Sequence, residues 1–127
     1  MIQMDYSDPR PLYEQIKDKL KTLIIRNVLG VDQQLPSVRD LAANLTLNPN
    51  TIQKAYRDLE AEGYIYSIRG KGNFVAQLSQ ELRRSQHVQI KAQLYEVLTA
   101  MQHLGITVQE ALAWVKESYE AEEGATT

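Results

Sequence analysis

The sequence predicts a mostly α-helical protein with one small β-hairpin, and three observations predict it. Apolar residues recur at steps of three and four through five separate stretches. Pro, Gly and Ser/Thr/Asn residues stand at the ends of those stretches, where helices start and stop. One short stretch instead sets aromatic and β-branched residues on both sides of Arg69-Gly70-Lys71-Gly72, a glycine-rich turn.

Taken in order, residues 1–9 read as an irregular arm. Pro11 suits a first helical position, where its missing N–H costs nothing. Leu12, Ile16, Leu20, Leu23 and Ile24 then make one apolar stripe, with Lys17, Lys19 and Lys21 off it as an expected solvated face. Gly30 is expected to end this helix as a C-terminal cap. Leu35-Pro36 breaks the chain, and Ser37-Val38-Arg39-Asp40 reads as a capping box that opens a short second helix. Its inward residues are Val38, Leu41, Ala42 and Leu45, and Thr46-Leu47 begins a turn. Asn48 is a strong N-cap and Pro49 fits the position after it. A third helix follows, with Ile52, Ala55, Tyr56 and Leu59 inward and Gly63 as its end.

Tyr64 to Ile68 favours a strand, and Asn73 to Ala76 supplies its return partner. Ser79 caps a long fourth helix, which meets no Pro or Gly before Gly105 and carries Leu94, Val97, Leu98, Met101 and Leu104 as a stripe. Thr107 to Glu110 is a second capping box, with Ile106 placed to staple against Ala111. Leu112, Val115 and Tyr119 form one face of the last helix. The expected division is therefore 9–77 as one domain, 79–120 as a helical region and 121–127 as a disordered tail.

Composition excludes more than it reveals. The 127 residues are 43% hydrophobic and 24% charged, ordinary for a globular chain, and a unit of this size has a thin core. With no cysteine there is no disulfide, Cys-based zinc site or thiol nucleophile. His87 and His103 lie sixteen residues apart, too far along one straight helix to chelate one ion, so no metal and no cofactor are expected. The N-terminus lacks a signal-peptide pattern and no run is long enough to cross a membrane, so the expected location is cytoplasmic. The formal charge of −2 divides into +1 through Leu78 (ten Lys/Arg, nine Asp/Glu) and −3 beyond it (four against seven). Charge alone does not announce a nucleic-acid binder; pattern must.

The pattern is two short helices joined by a tight turn and followed by a hairpin, the order of a winged helix-turn-helix. Its second helix can lie in the DNA major groove and offer its N-terminal residues to base edges. Here those residues are Asn48, Asn50, Thr51, Gln53 and Lys54, with Arg57 a turn further on. Asn and Gln can hydrogen-bond adenine edges, and Lys reaches guanine or phosphate. Ser37 and Arg39 begin the preceding helix, whose N-terminus favours phosphate. Arg69, Gly70, Lys71 and Gly72 combine two cations with a turn that can approach a narrow minor groove. Asn48 also has a purely structural use as a cap, and Tyr56, Tyr64 and Phe74 are expected in the core rather than stacked on bases.

Four motifs stand in series: Leu35-Pro36-Ser37-Val38-Arg39-Asp40-Leu41-Ala42, Asn48-Pro49-Asn50-Thr51-Ile52-Gln53-Lys54-Ala55-Tyr56, Leu59-Glu60-Ala61-Glu62-Gly63-Tyr64-Ile65 and Arg69-Gly70-Lys71-Gly72-Asn73-Phe74-Val75. With Pro11-Leu12-Tyr13-Glu14-Gln15-Ile16 they closely resemble the GntR family of transcriptional regulators, over Pro9 to Gln77. The Asn-Pro-Asn-Thr helix start and the short C-terminal extension look like its YtrA-like subfamily. The resemblance implies a winged helix-turn-helix in which Arg39, residues 48 to 53 including Pro49, and residues 69 to 72 contact double-stranded operator DNA. Other subfamilies often carry an Arg near the start of the recognition helix, where this chain has Pro49 and Asn50, so their operators do not transfer.

The function expected is that of a sequence-specific regulator, a repressor, binding pseudo-palindromic DNA as a homodimer. The dimer contact is expected at Leu94, Val97, Leu98, Met101, Leu112 and Val115, with Trp114 as a core or interface anchor. A small-molecule effector, if the chain responds to one, is expected between the C-terminal helices and the DNA-binding domain. The alternative is a winged-helix protein-interaction module without DNA. Catalysis is not expected, since no nucleophile, base and orienter come together in the pattern.

Overall fold

The computed structural model describes residues 2 to 126. It contains α1 (Leu12–Ile25), α2 (Val38–Leu45), α3 (Pro49–Ala61), β1 (Ile65–Ile68), β2 (Gly72–Val75), α4 (Gln80–His103) and α5 (Val108–Thr126). The mostly helical class with a single hairpin is the one observed. The chain forms two compact units, one ending at Leu82 and the other beginning at Arg83.

In the first unit, Ile16, Leu20 and Ile24 of α1 and Ile52, Ala55, Tyr56 and Leu59 of α3 are buried against one another, with Leu35, Leu41, Tyr64, Ile65 and Val75 completing the core. Each fully buried Leu or Ile contributes ~1.5–3 kcal/mol over an exposed one, so these two facing stripes dominate the unit's stability. Pro11 is the N-cap of α1 and stands one residue outside the helix. The helix also stops at Ile25, five residues before Gly30. Asn27 takes a left-handed conformation (φ 59°), which Asn tolerates, and the N–H groups of Val28 and Leu29 donate back to the Leu23 carbonyl at 2.9 and 3.1 Å. Turning there places Leu29, only 4% exposed, in the core. Gly30 sits in the turn that follows.

Ser37 and Asn48 cap α2 and α3 as read, while among the described residues the Asp40 carboxylate makes no return bond to Ser37. The Ser37 hydroxyl accepts from the Asp40 N–H at 3.0 Å, and the Asn48 carbonyl oxygen accepts from the Asn50 N–H at 2.9 Å with Pro49 in the first turn. Between the two helices Thr46 turns the chain with φ 55°. The hairpin is antiparallel, pairing Ile65 with Val75 and Ile68 with Gly72. A third short segment joins it: Asp32 donates to the Val75 carbonyl (2.8 Å), Val75 to that of Gln33 (2.9 Å) and Leu35 to that of Asn73 (2.8 Å). The hydrophilic run Asp32-Gln33-Gln34 carries no strand signal, so only the fold reveals this pairing.

Lys17 and Lys21 do not form a solvated face. Both are half-buried and pair with Glu62 at the end of α3, Lys21 at 2.9 Å, while Lys17 also lies 3.7 Å from Asp58. Burial alone would lower the Lys17 ammonium and raise the Glu62 carboxyl, but the mutual pairing reverses both, holding Lys17 above and Glu62 below their ordinary values.

In the second unit, α4 and α5 are joined at Gly105 (φ 76°), with the Ile106 N–H closing onto the Met101 carbonyl at 3.0 Å. The cap half of the expected box forms: the Thr107 hydroxyl oxygen accepts from the Glu110 N–H at 3.2 Å, and the hydroxyl, rather than the Thr107 N–H, donates to the Glu110 carboxylate at 3.3 Å. α5 continues through the Ala- and Glu-rich stretch expected as a tail, since those residues have high helix propensity. Thr127 lies outside the described residues. None of residues 83 to 124 is buried.

Candidate nucleic-acid interface

Helix α3 is two-sided. Its inward stripe is buried, and its opposite face presents Asn50, Gln53, Lys54 and Arg57, all exposed, with Thr51 half-buried beside them. Four of the five helices carry an acid in their first turn: Glu14, Asp40, Glu81 and Glu110. The first turn of α3 carries none, so the partial positive charge of its N-terminus is not offset from within the helix.

The Tyr56 hydroxyl ties α3 to the start of α2, donating to the Pro36 carbonyl at 2.7 Å. Burial pushes its phenol well above the ordinary tyrosine value, so it stays a neutral donor. That bond sets the approach of the two helices and fixes the segment carrying Ser37 and Arg39, both exposed.

The hairpin turn is anchored as well. Lys71 donates its N–H to the Ile68 carbonyl at 2.9 Å, and the Gln34 side-chain amide donates to the Lys71 carbonyl at 2.8 Å. Gly72 is held to glycine by its backbone, and a Cβ there would also displace the Gln34 amide. Its φ is 123°, and a Cβ there would stand 2.9 Å from the Gln34 amide nitrogen. Tyr66 stacks on Phe74 at 5.5 Å and donates its hydroxyl to Asp32 at 2.8 Å, which keeps the phenol protonated to higher pH. Arg69, Gly70 and Lys71 are left exposed at the tip.

Two groups of cations stand out in this unit. Arg10, Lys17 and Lys21 are held in ion pairs with acids of their own chain. Among the described residues, Arg39, Arg57, Arg69 and Lys71 enter no ion pair, and Lys54 instead lies over the Tyr13 ring, 3.9 Å from its centroid. Thus all thirteen residues read as DNA-facing lie in the first unit, and among the described residues Arg39, Lys54, Arg57, Arg69 and Lys71 of that set enter no ion pair; Lys19 of α1, outside the set, enters none either. Ser37 and Asn48 serve as helix caps too. Tyr13, Gln34 and the Tyr56 hydroxyl were not singled out as parts of this face. A buried tyrosine must find a partner for its hydroxyl, which is a usable signal for Tyr56. The Gln34 bond spans 37 residues and has no local signature.

The residues read as a dimer contact lie in the second unit. Leu94, Val97, Leu112 and Val115 are exposed, at 50%, 56%, 62% and 52%, and Leu98 and Met101 are half-buried. Trp114 is 49% exposed, so it is not a core residue of the single chain. Among the described residues no three His, Asp or Glu side chains converge to hold a metal ion, and no helix is long and apolar enough to cross a membrane.

A helix-turn-helix, a hairpin wing and a face of uncompensated cations define a DNA-binding transcriptional regulator of the winged-helix class. Residues 12–75 match the family described as "Bacterial regulatory proteins, gntR family". The chain is 36% identical over 118 residues to the HTH-type transcriptional repressor YtrA of Bacillus subtilis, covering 92% of this chain and 91% of that one. A GntR family transcriptional regulator from Listeria monocytogenes superposes with a TM-score of 0.70 at 33% identity, over 90% of this chain and 98% of that one. The DNA-binding domain of AraR, solved in complex with operator ORE1, superposes with a TM-score of 0.52 at 31% identity over 58% of this chain and 90% of that one. The chain belongs to the gntR family of bacterial regulatory proteins, and the YtrA-like resemblance read from its motifs is borne out. The operator-bound relative favours DNA binding over the interaction-module alternative.

Proposed function

We propose that the chain is a repressor that binds a two-fold symmetric operator as a homodimer. In each protomer, Asn50 and Gln53 at the start of α3 read the major groove, Arg57 supports them, Ser37, Arg39, Asn48 and Lys54 take phosphates, and the Arg69 to Gly72 tip follows the adjacent minor groove. One observation carries this reading: the outward face of α3 and the cations around it are exposed and uncompensated, while other cations of the same unit are paired. A site for an anionic polymer has that character. The exposure of Leu94, Leu112 and Val115 on α4 and α5 in one chain supports pairing of the second unit in the dimer.

The test begins with selection of the preferred duplex from a random pool by the full chain, which is expected to yield a two-fold symmetric site. Binding to that duplex weakens with salt, each phosphate contact adding ~0.9 to the log–log slope. Gln53→Ala costs ~1–3 kcal/mol on the selected site and relaxes the preference at one position of each half-site. Arg39→Ala weakens all sequences alike. Full affinity in both variants would overturn the contact assignment. Sedimentation of the full chain is expected at twice the monomer mass. Replacing both Leu94 and Leu112 by Glu returns the monomer mass, and an unchanged mass would remove α4 and α5 from the interface.

A further inference from the structure

We propose that Tyr13 is a positioning residue for DNA binding: its ring holds the Lys54 ammonium over the mouth of the recognition helix, oriented for a backbone phosphate. The proposal rests on the reading of α3 as the DNA-facing helix and adds a residue of α1 to its machinery.

The geometry is specific. The Lys54 nitrogen lies 3.9 Å from the Tyr13 ring centroid, well inside the ~6 Å within which an aromatic face attracts a cation. Among the described residues no carboxylate pairs with Lys54. Pro11, Leu12 and Tyr13 of the α1 start line one groove with Asn50, Thr51 and Lys54 of α3, with a volume of about 370 Å³. Tyr13 is half-buried, packed against the core at one side and under Lys54 at the other.

The choice of partner matters. A carboxylate orients an ammonium by neutralising it, as Glu62 does for Lys17 and Lys21. A ring orients it through a quadrupole, which has no net charge and accepts no conventional hydrogen bond. Lys54 therefore keeps its full charge and its N–H donors while losing much of the freedom of its four-carbon stem. A lysine prepared in this way meets a phosphate with less ordering left to do.

The experiment measures binding of the full chain to the selected duplex across a salt series, for Tyr13→Phe, Tyr13→Leu, Lys54→Ala and the Tyr13→Leu/Lys54→Ala double variant. Tyr13→Leu is expected to weaken binding about two- to fivefold, the range of an exposed cation–π contact, while Tyr13→Phe, which keeps the ring, binds as the parent does. Lys54→Ala lowers the salt slope by ~0.9. In the Lys54→Ala background, Tyr13→Leu is expected to have no further effect. Thermal melts verify folding, and should Tyr13→Leu unfold, Tyr13→Met replaces it in the cycle. An equal loss from Tyr13→Leu with and without Lys54 would assign Tyr13 to packing alone and overturn the proposal. So would parent-like binding by Tyr13→Leu or an unchanged salt slope in Lys54→Ala. Arg39→Ala serves as the control: if it also binds fully, the DNA-facing surface itself is misplaced, and if it alone weakens binding, only the role of Tyr13 fails.

Discussion

The two units use similar side chains to opposite ends. Up to Leu82, aliphatic stripes on α1 and α3 close on each other, and Ile16, Leu20, Ile52 and Leu59 have no exposure at all. From Arg83 onward, stripes of the same composition lie on two longer helices, yet none of residues 83 to 124 is buried. Three layers make the difference: α1 packs on α3, α2 braces α3, and the hairpin closes the remaining side. Two helices alone have nothing to place on their outer faces. Apolar periodicity thus marks a surface that needs a partner, and only topology decides whether the same chain provides one.

Truncation separates the two cases most sharply. Leu20→Ala is expected to cost ~2–5 kcal/mol, because a site in the middle of the α1–α3 contact cannot collapse around the void. Leu112→Ala, at a position 62% exposed, is expected to change the stability of the isolated protomer by less than ~0.5 kcal/mol. Both are read from chemical denaturation at protein concentrations low enough to dissociate dimers, and equal costs would erase the contrast.

The cap of the recognition helix comes next. Asn48→Ala removes the acceptor of the Asn50 N–H and is expected to cost ~0.5–2 kcal/mol in the same measurement. Operator affinity reports the second use of the residue, since a cap alone predicts that the remaining folded protein binds as the parent does. At Thr46, a β-branched residue in a left-handed conformation, Thr46→Gly relieves steric strain and is expected to stabilise the first unit by up to ~1 kcal/mol. A loss of stability would show that the Thr46 side chain contributes more than its backbone costs.

The ion pairs of Glu62 carry a small effect that depends on pH. Its carboxyl titrates below the ordinary glutamate value, with burial opposing and Lys17 and Lys21 prevailing, so its contribution is present above that value and fades as pH falls through the lowered one. Lys17, held above its ordinary value, contributes below that value and loses its share as pH rises through the raised one. Because the groups are partly exposed, the sum is expected to be under ~1 kcal/mol. Glu62→Gln should therefore differ from the parent near neutral pH and converge with it in acid. A constant difference across pH would mean that the side chain acts by packing.

Much of this was legible beforehand. Ser37, Asn48 and Thr107 announce their helices because an N-cap is a local bargain between one side chain and the next few N–H groups. The outward face of α3 is likewise written in its period. Less legible was anything settled between distant positions. Gly30 suggested the end of α1, but Asn27 turns the chain sooner because Leu29 has a place in the core. Lys17 and Lys21 looked solvated because their acid partner lies at Glu62, some forty positions along the chain. The third segment of the sheet is hydrophilic and recruited by backbone bonds, with the Asp32 and Gln34 side chains adding bonds to distant residues. At the interface, the amino acids facing outward were readable, whereas Tyr13 and Gln34, which hold those side chains or their loop in place, were not.

The packing of Gln34 against Gly72 bears on how such a regulator is retargeted. A library that randomises the whole tip from Arg69 to Gly72 would lose most of its members at the last position, where any Cβ meets the Gln34 amide and any L-residue meets an unfavourable φ. Diversity confined to positions 69 and 71 and to the outward residues of α3 leaves that latch closed. Pairing changes at 72 with a smaller residue at 34 would open the space but not the backbone, so the productive route to a new operator runs around Gly72.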